Sequence, residues 1–199
     1  MLSLLMSATA LAQTIQFGAR GGMPVGSLLT ANQPLEASTE RYVAGPAAEI
    51  GLPYGLAAGA DFLLQAATIG ITASPSPATV HRWELPVLLT YHVSGLPMRP
   101  FIRAGLSFNH VLDVGNATRC WRGPFGEQFY CLGAVQVAEL RHRGTYGPVV
   151  AGGFQFRFKR IRIEPEVRFT RWIDRNFGVR YSAVRSNLSE IEILAGVTI

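Results

Sequence analysis

Apolar and polar residues alternate along most of the chain, and in eight segments the alternation is regular enough to mark strands with two unlike faces. The first sets Ile15, Phe17 and Ala19 against Gln16, Gly18 and Arg20. The second, from about Tyr42 to Leu52, sets Ala44, Ala48, Ile50 and Leu52 against Gly45, Ala47, Glu49 and Gly51. In the third, Leu56, Ala58, Ala60, Phe62 and Leu64 oppose Asp61 and Gln65. The fourth places His81, Trp83, Leu85, Val87, Leu89, Tyr91 and Val93 opposite Arg82, Glu84, Thr90 and His92. Ile102, Ala104, Leu106 and Phe108 then face away from Arg103, Ser107 and Asn109, and Val150, Phe154, Phe156 and Phe158 from Gln155 and Arg157. The seventh opposes Ile161, Ile163, Val167 and Phe169 to Arg162, Glu164, Glu166, Arg168 and Thr170. The last opposes Ile191, Ile193, Ala195, Val197 and Ile199 to Glu190, Glu192 and Thr198.

Each segment is about nine to thirteen residues long, the length that crosses a bilayer at a tilt of roughly 45°. The connections alternate in length: 22–41 is long, Pro53-Tyr54-Gly55 short, 67–79 long, Ser94–Met98 short, 112–146 very long, Lys159-Arg160 short and 173–187 long. Short turns at one end and long loops at the other are the habit of an outer-membrane barrel, with the turns in the periplasm and the loops outside. The pattern therefore predicts an all-β fold, an eight-stranded antiparallel up-and-down transmembrane β-barrel. Its even strand number places both termini on the periplasmic side.

A soluble lipocalin-like barrel also alternates, but turns its apolar face inward. Charge decides between the two. The polar faces collect seven acids (Glu49, Asp61, Glu84, Glu164, Glu166, Glu190, Glu192) and seven bases (Arg20, Arg82, Arg103, Arg157, Lys159, Arg162, Arg168), out of only 13 acidic residues in the chain. Charges confined in a narrow lumen must pair, because an unpaired buried charge costs several kcal/mol. The balance predicts a filled lumen crossed by an Arg/Glu network, with a salt-bridge ladder along Arg162, Glu164, Glu166 and Arg168. Pro46, Pro86 and Pro165 fall inside strands and predict bulges or unpaired ladder positions.

Composition agrees with this fold: the chain is 48% hydrophobic and 16% charged, with its apolar residues dispersed rather than gathered into one long run. Residues 1–12 form a short apolar stretch ending Ala10-Leu11-Ala12 before Gln13, which reads as a signal peptide cleaved near Ala12/Gln13 and leaves 13–199 as one barrel domain. Export to an oxidising compartment allows a disulfide between Cys120 and Cys131, the only two cysteines. The net charge of +5 is carried by scattered arginines with Lys159 the single lysine, which argues against a nucleic-acid partner.

The run Phe17-Gly18-Ala19-Arg20-Gly21-Gly22, then Gly45-Pro46, Trp83-Glu84-Leu85-Pro86, Pro100-Phe101 and Gly105 resembles the outer-membrane β-barrel domain family that includes the PorT-like proteins. Ile163-Glu164-Pro165-Glu166-Val167-Arg168-Phe169-Thr170-Arg171-Trp172 and Leu194-Ala195-Gly196-Val197-Thr198-Ile199 extend the likeness over nearly the whole mature chain. That family is similar to the small OmpA/OmpX-type barrels, and the resemblance implies fold and location more than activity. Ile199 departs from the aromatic residue that usually ends the barrel-assembly signal.

No nucleotide-binding loop, His-Glu-x-x-His or Cys-x-x-Cys is present, so no catalytic, cofactor or metal residue is assigned. The catalytic rival is a lipid A-modifying enzyme, which needs histidine, serine and acid at the outer leaflet; His81 and His110 fall near that end, and His92 with Ser94 at a periplasmic turn, while His142 lies in the longest loop. A small-solute channel is the other alternative. The favoured expectation is a structural or surface-interaction barrel whose partners are outer-membrane lipid and lipopolysaccharide, the barrel-assembly machinery during biogenesis, and a protein or surface ligand at the loops. The loop tip offers Trp121, Phe125, Phe129 and Tyr130 beside Arg119 and Arg122, a composition enriched at binding hot spots.

Overall fold

The computed structural model describes residues 15–31, 35–71, 78–93, 98–115, 117–122, 129–135, 140–178 and 184–199, with the backbone alone at 31, 35–41, 69–71, 117–122, 129–135 and 184. The expected signal peptide and the residues of the longest loop's tip at 123–128 lie outside the described residues. So does Ser94.

Eight strands close into a barrel: β1 (Ile15–Pro24), β2 (Leu35–Gly51), β3 (Leu56–Asp61, resuming as Leu63–Ile71), β4 (Ala78–His92), β5 (Arg99–Val114), β6 (Gly144–Phe158), β7 (Ile161–Arg171) and β8 (Ser189–Thr198). Each pairs antiparallel with its neighbours in sequence. β1 pairs with β2 on one side, Ile15 opposite Ile50, and with β8 on the other, Gly18 opposite Thr198. The sheet thus has no free edge, the condition for strands to cross a bilayer with every ladder satisfied.

The two faces are those of a transmembrane barrel. Inward-facing Arg168 is 0% exposed and Glu84, Glu164 and Glu192 are each 2% exposed, whereas outward-facing Phe17 and Ile102 are each 66% exposed. Ile50, Leu64, Leu89, Val150, Val167 and Ile193 continue the apolar outer surface onto the other strands. With charges inside and aliphatic side chains outside, the arrangement is the reverse of a soluble barrel. It is stable only where the outer surface meets lipid.

β3 is interrupted at Phe62, and two prolines cause it. The registers on either side put Pro46 of β2 opposite Phe62 and Pro86 of β4 opposite Asp61. Phe62 donates its N–H to the Pro46 carbonyl at 2.9 Å, but Pro46 has no N–H to return. Pro165 acts similarly, as the β6–β7 ladder breaks off between Gly153–Glu166 and Phe156–Ile163. Each of the three prolines therefore falls where the ladder to one neighbouring strand is interrupted, as the sequence predicts, while its other side stays in register, Pro46 with Ala19, Pro86 with Ser107 and Pro165 with Ala195.

Several strands run further than the alternation suggests. β2 has 17 residues and β5 has 16, against ten each for β1 and β8, so the barrel wall is taller on the β2–β6 side. Leu35–Thr39 pair with Ala67–Ile71 in segments that the pattern reads as loop. Backbone pairing continues there without an alternating face to betray it.

The loop end of the lumen is covered. A short strand Leu29–Ala31 pairs with Val184–Ser186 across the mouth. Beneath it Leu28, Leu29 and Phe177 pack with inward-facing Ala67, Ala78, Val80 and Val111 in one buried apolar cluster. In the longest connection, Ala117–Arg122 and Phe129–Val135 form a hairpin in which Cys120 is opposite Cys131.

The outward position of Val150, midway along β6 and paired with Ala104 and Phe169, supplies a test of the lipid face. Val150→Arg is expected to destabilise the folded barrel by about 2–4 kcal/mol if it lies near the bilayer midplane. Reversible urea unfolding in lipid vesicles measures this.

Candidate functional site

The lumen is the part of the molecule where chemistry-bearing side chains converge. Its centre is Arg103 on β5, which donates from Nη1 to Glu166 Oε2 at 2.5 Å and from Nη2 to Glu164 Oε2 at 2.5 Å and Glu49 Oε2 at 3.2 Å. Its Nε reaches Thr90 Oγ1 at 3.1 Å. Arg20 on β1 approaches from the opposite wall, with Nη1 at 2.9 Å from Asp61 Oδ2 and 3.4 Å from Glu166 Oε1. Arg168 Nη2 lies 2.6 Å from the same Asp61 oxygen and 2.7 Å from Glu166 Oε1. Glu166 therefore contacts three guanidiniums. Gly196 lies close beside Arg20: a Cβ there would sit 3.2 Å from its Nε and 3.3 Å from its Nη2, so the guanidinium would have to shift by a few tenths of an ångström to admit one.

A second cluster lies nearer the loops. Arg82 grips Glu190 with two hydrogen bonds, Nη1 to Oε1 at 2.9 Å and Nη2 to Oε2 at 2.6 Å. It also donates to Gln65 Oε1, and its guanidinium is 5.8 Å from the centre of the Trp172 ring. Ser107 Oγ donates to Glu84 Oε1 at 2.6 Å, while Glu84 Oε2 stays 3.8 Å from Arg82. Bringing charges out of water costs several kcal/mol per ion, and only dense, paired hydrogen bonding offsets it. The central network meets that condition.

Eleven of the fourteen charged residues that the pattern turns inward are thus buried in the lumen, and three, Arg157, Lys159 and Arg162, are placed differently. Arg157 continues the inward face of β6 but extends past the turn-end mouth and is exposed, as is Lys159 in the turn. Neither joins an ion pair among the described residues. Arg162 is half-buried at the same rim and donates to Gln16 rather than to a carboxylate. The balance of seven against seven is therefore corrected to seven buried carboxylates and four buried guanidiniums, Arg20, Arg82, Arg103 and Arg168.

The ladder expected along β7 is likewise only partly formed. Arg168 pairs with Glu166, but Glu164 turns to Arg103 and to Gln155 Nε2 at 2.7 Å. Side chains two apart on one strand are about 6.8 Å apart along it, so long side chains reach partners across the lumen more readily. The neutral partners Gln16, Gln65, Thr90, Ser107 and Gln155 were legible only as inward positions. The apolar cap over the mouth had no signal in the alternation at all.

Glu49, His92 and Glu164 bring ligand-type atoms within 4.8 Å of one another near the turn end. Their lone pairs are already engaged: Arg103 bonds both carboxylates, and Gln155 bonds Glu164 and stands 3.3 Å from His92 Nε2. The trio reads as part of the ion-pair network. On the outer surface, Phe62, Trp83 and His110 stack in a row across β3, β4 and β5 with successive ring centres 5.7 Å apart. Among the described residues no histidine is hydrogen-bonded to a serine or a carboxylate.

No family model matches the chain, and no curated protein matches it. Among solved structures, neisserial surface protein A matches with a TM-score of 0.54 at 13% identity, over 93% of this chain and 96% of that one. The fold is that of a small outer-membrane barrel. Two further barrels align over similar lengths with lower scores: the N-terminal barrel domain of Pseudomonas aeruginosa OprF (TM-score 0.40, 10% identity, 93% and 96% covered) and Yersinia pestis Ail (0.44, 8%, 94% and 97%).

Glu166→Ala removes the carboxylate shared by Arg20, Arg103 and Arg168 and is expected to destabilise the barrel by about 3–5 kcal/mol, less where lumen water reaches the freed guanidiniums. Arg157→Ala, at the exposed rim, should leave the urea midpoint unchanged.

Proposed function

We propose that the protein is a closed surface-interaction barrel of the bacterial outer membrane, with its termini and short turns in the periplasm and its long loops outside. The observation that carries this reading is the cross-linked lumen: Arg20, Arg103 and Arg168 tie side chains of β1, β2, β3, β5 and β7 together, and the apolar cap of Leu28, Leu29 and Phe177 lies over them. A lumen filled in this way favours a scaffold for loops over a solute channel. The motif likeness to PorT-like barrels adds support for the location. The outer-surface apolar band and aromatic row fit contact with membrane lipid, and lipopolysaccharide is the lipid that the loop-end residues would meet.

Recognition is assigned to the loop between β5 and β6. Directly opposed residues of an antiparallel pair have Cα atoms about 4.5–5.5 Å apart, within the span of a disulfide. A Cys120–Cys131 bridge at this register would hold the hairpin as a preformed tip presenting its aromatic and arginine residues. Unfolding-entropy arguments give such a ring about 3 kcal/mol.

Three measurements test the reading. Purified protein in planar lipid bilayers is expected to show no steady conductance; large, stable single-channel currents would instead make it a channel. Intact-mass measurement of the exported protein should show a chain lighter by two hydrogens before reduction than after. Cys120→Ser with Cys131→Ser should leave the barrel folded and expose the loop to trypsin.

A further inference from the structure

The buried charge of the lumen is unevenly distributed. In the central network four carboxylates, Glu49, Asp61, Glu164 and Glu166, are shared among three guanidiniums, Arg20, Arg103 and Arg168. Nearer the loops, Glu84, Glu190 and Glu192 have Arg82 as their fourth member, and Arg82 is committed to Glu190. Glu192 is 2% exposed and neither of its carboxylate oxygens has a hydrogen-bond partner. Glu84 Oε2 also lacks one, its other oxygen being held by Ser107. Asn109, 3% exposed, is the direct cross-strand partner of Glu84, and neither its oxygen nor its nitrogen is bonded.

We propose that the loop-side half of the lumen binds one hard divalent cation of the calcium class, held by Glu84 and Glu192 with Asn109 as a neutral third ligand. Glu84 and Asn109 face inward from β4 and β5, and Glu192 from β8. The Arg82 bridge shows that side chains of β4 and β8 meet across the lumen at this level, for it touches Glu190, one inward position from Glu192, as well as Glu84. The free acceptor atoms of these three residues are all oxygens: two from Glu192, one from Glu84 and one from Asn109. Calcium takes six to eight oxygen ligands at about 2.3–2.6 Å, commonly including a bidentate carboxylate and water. Soft or borderline metals would want nitrogen or sulfur, which this end of the lumen does not offer among the described residues.

Two charges oppose the cation, and one supplies the competing explanation. Arg82 is neutralised by its bidentate contact with Glu190. Arg168 is opposite Glu192 in the β7–β8 register, but its Nη2 is directed to Asp61 and Glu166, while its Nη1 and Nε have no partner. If Arg168 turned toward Glu192, the pair would need no metal.

Terbium, a luminescent calcium substitute, distinguishes these cases because Trp172 lies against Arg82 at the same level and can sensitise its emission. The full-length barrel is refolded in detergent with terbium, with calcium as competitor, and its urea midpoint is compared in calcium and in chelator. The proposal expects tryptophan-sensitised emission that calcium displaces and a higher midpoint in calcium. Both should be lost in Glu192→Gln and in Glu84→Gln, while Trp172→Phe weakens the emission yet keeps the calcium-dependent shift. In chelator, Glu192→Gln should be at least as stable as the parent, since it removes an unpaired charge. Absence of emission and shift in the parent overturns the proposal. So does their survival in Glu192→Gln, which would place the cation on loop carboxylates, or a loss of stability by that variant in chelator, which would assign Glu192 to Arg168. None of these outcomes bears on whether the barrel conducts.

Discussion

Everything in this molecule follows from enclosing charge where water is scarce. The outer surface must be apolar to face lipid, so all strand polarity is forced inward, and eight strands leave an interior just wide enough for side chains. Under that constraint an arginine cannot be left to solvent. Arg103 takes four acceptors on three other strands, and Glu166 receives three guanidiniums. The barrel wall supplies backbone hydrogen bonds, and the lumen ties together strands that are not neighbours in the sheet.

The same constraint explains the irregular places. Pro46 and Pro86 flank one point of β3 from both sides, and Asp61, at that point, is the acid shared by Arg20 and Arg168. Gly196 leaves the space that the Arg20 side chain occupies. A guanidinium lying against the inner wall fits closely beside a small residue, and ladder bonds are lost at a point where acids and bases link the strands instead. At the loop end the filling changes character, and an apolar cluster replaces ions where Leu28, Leu29 and Phe177 fold over the mouth.

A rigid, filled barrel leaves the connections as the variable part. The turns at one end are short, and the structured extensions lie at the other: the taller wall of β2–β6, the strand pair over the mouth and the Cys120–Cys131 hairpin. This division of labour is the physical basis for assigning interaction to the loops and stability to the lumen. It also separates the ion network, which is structural, from the unpartnered oxygens of Glu84, Glu192 and Asn109, which are not explained by the network.

The sequence by itself determined the fold class, the eight strands, the inward face and the positions of the disruptive prolines. Those features are local, because a period of two marks each strand without knowledge of its neighbours, and proline lacks its donor wherever it stands. Only the tertiary structure decided which charges meet. Arg20 and Asp61 are 41 residues apart, Arg168 and Asp61 are 107 apart, and Arg20 and Glu166 are 146 apart. Parity along a strand says that a side chain points inward, but not whether it is deep in the lumen or past its rim. For that reason Arg157 and Lys159 counted as lumen charges in the pattern and stand in water in the barrel. The cap escaped for a related reason: Leu28 and Phe177 lie 149 positions apart in connections with no period, and are joined only because the closed barrel brings both over the same opening.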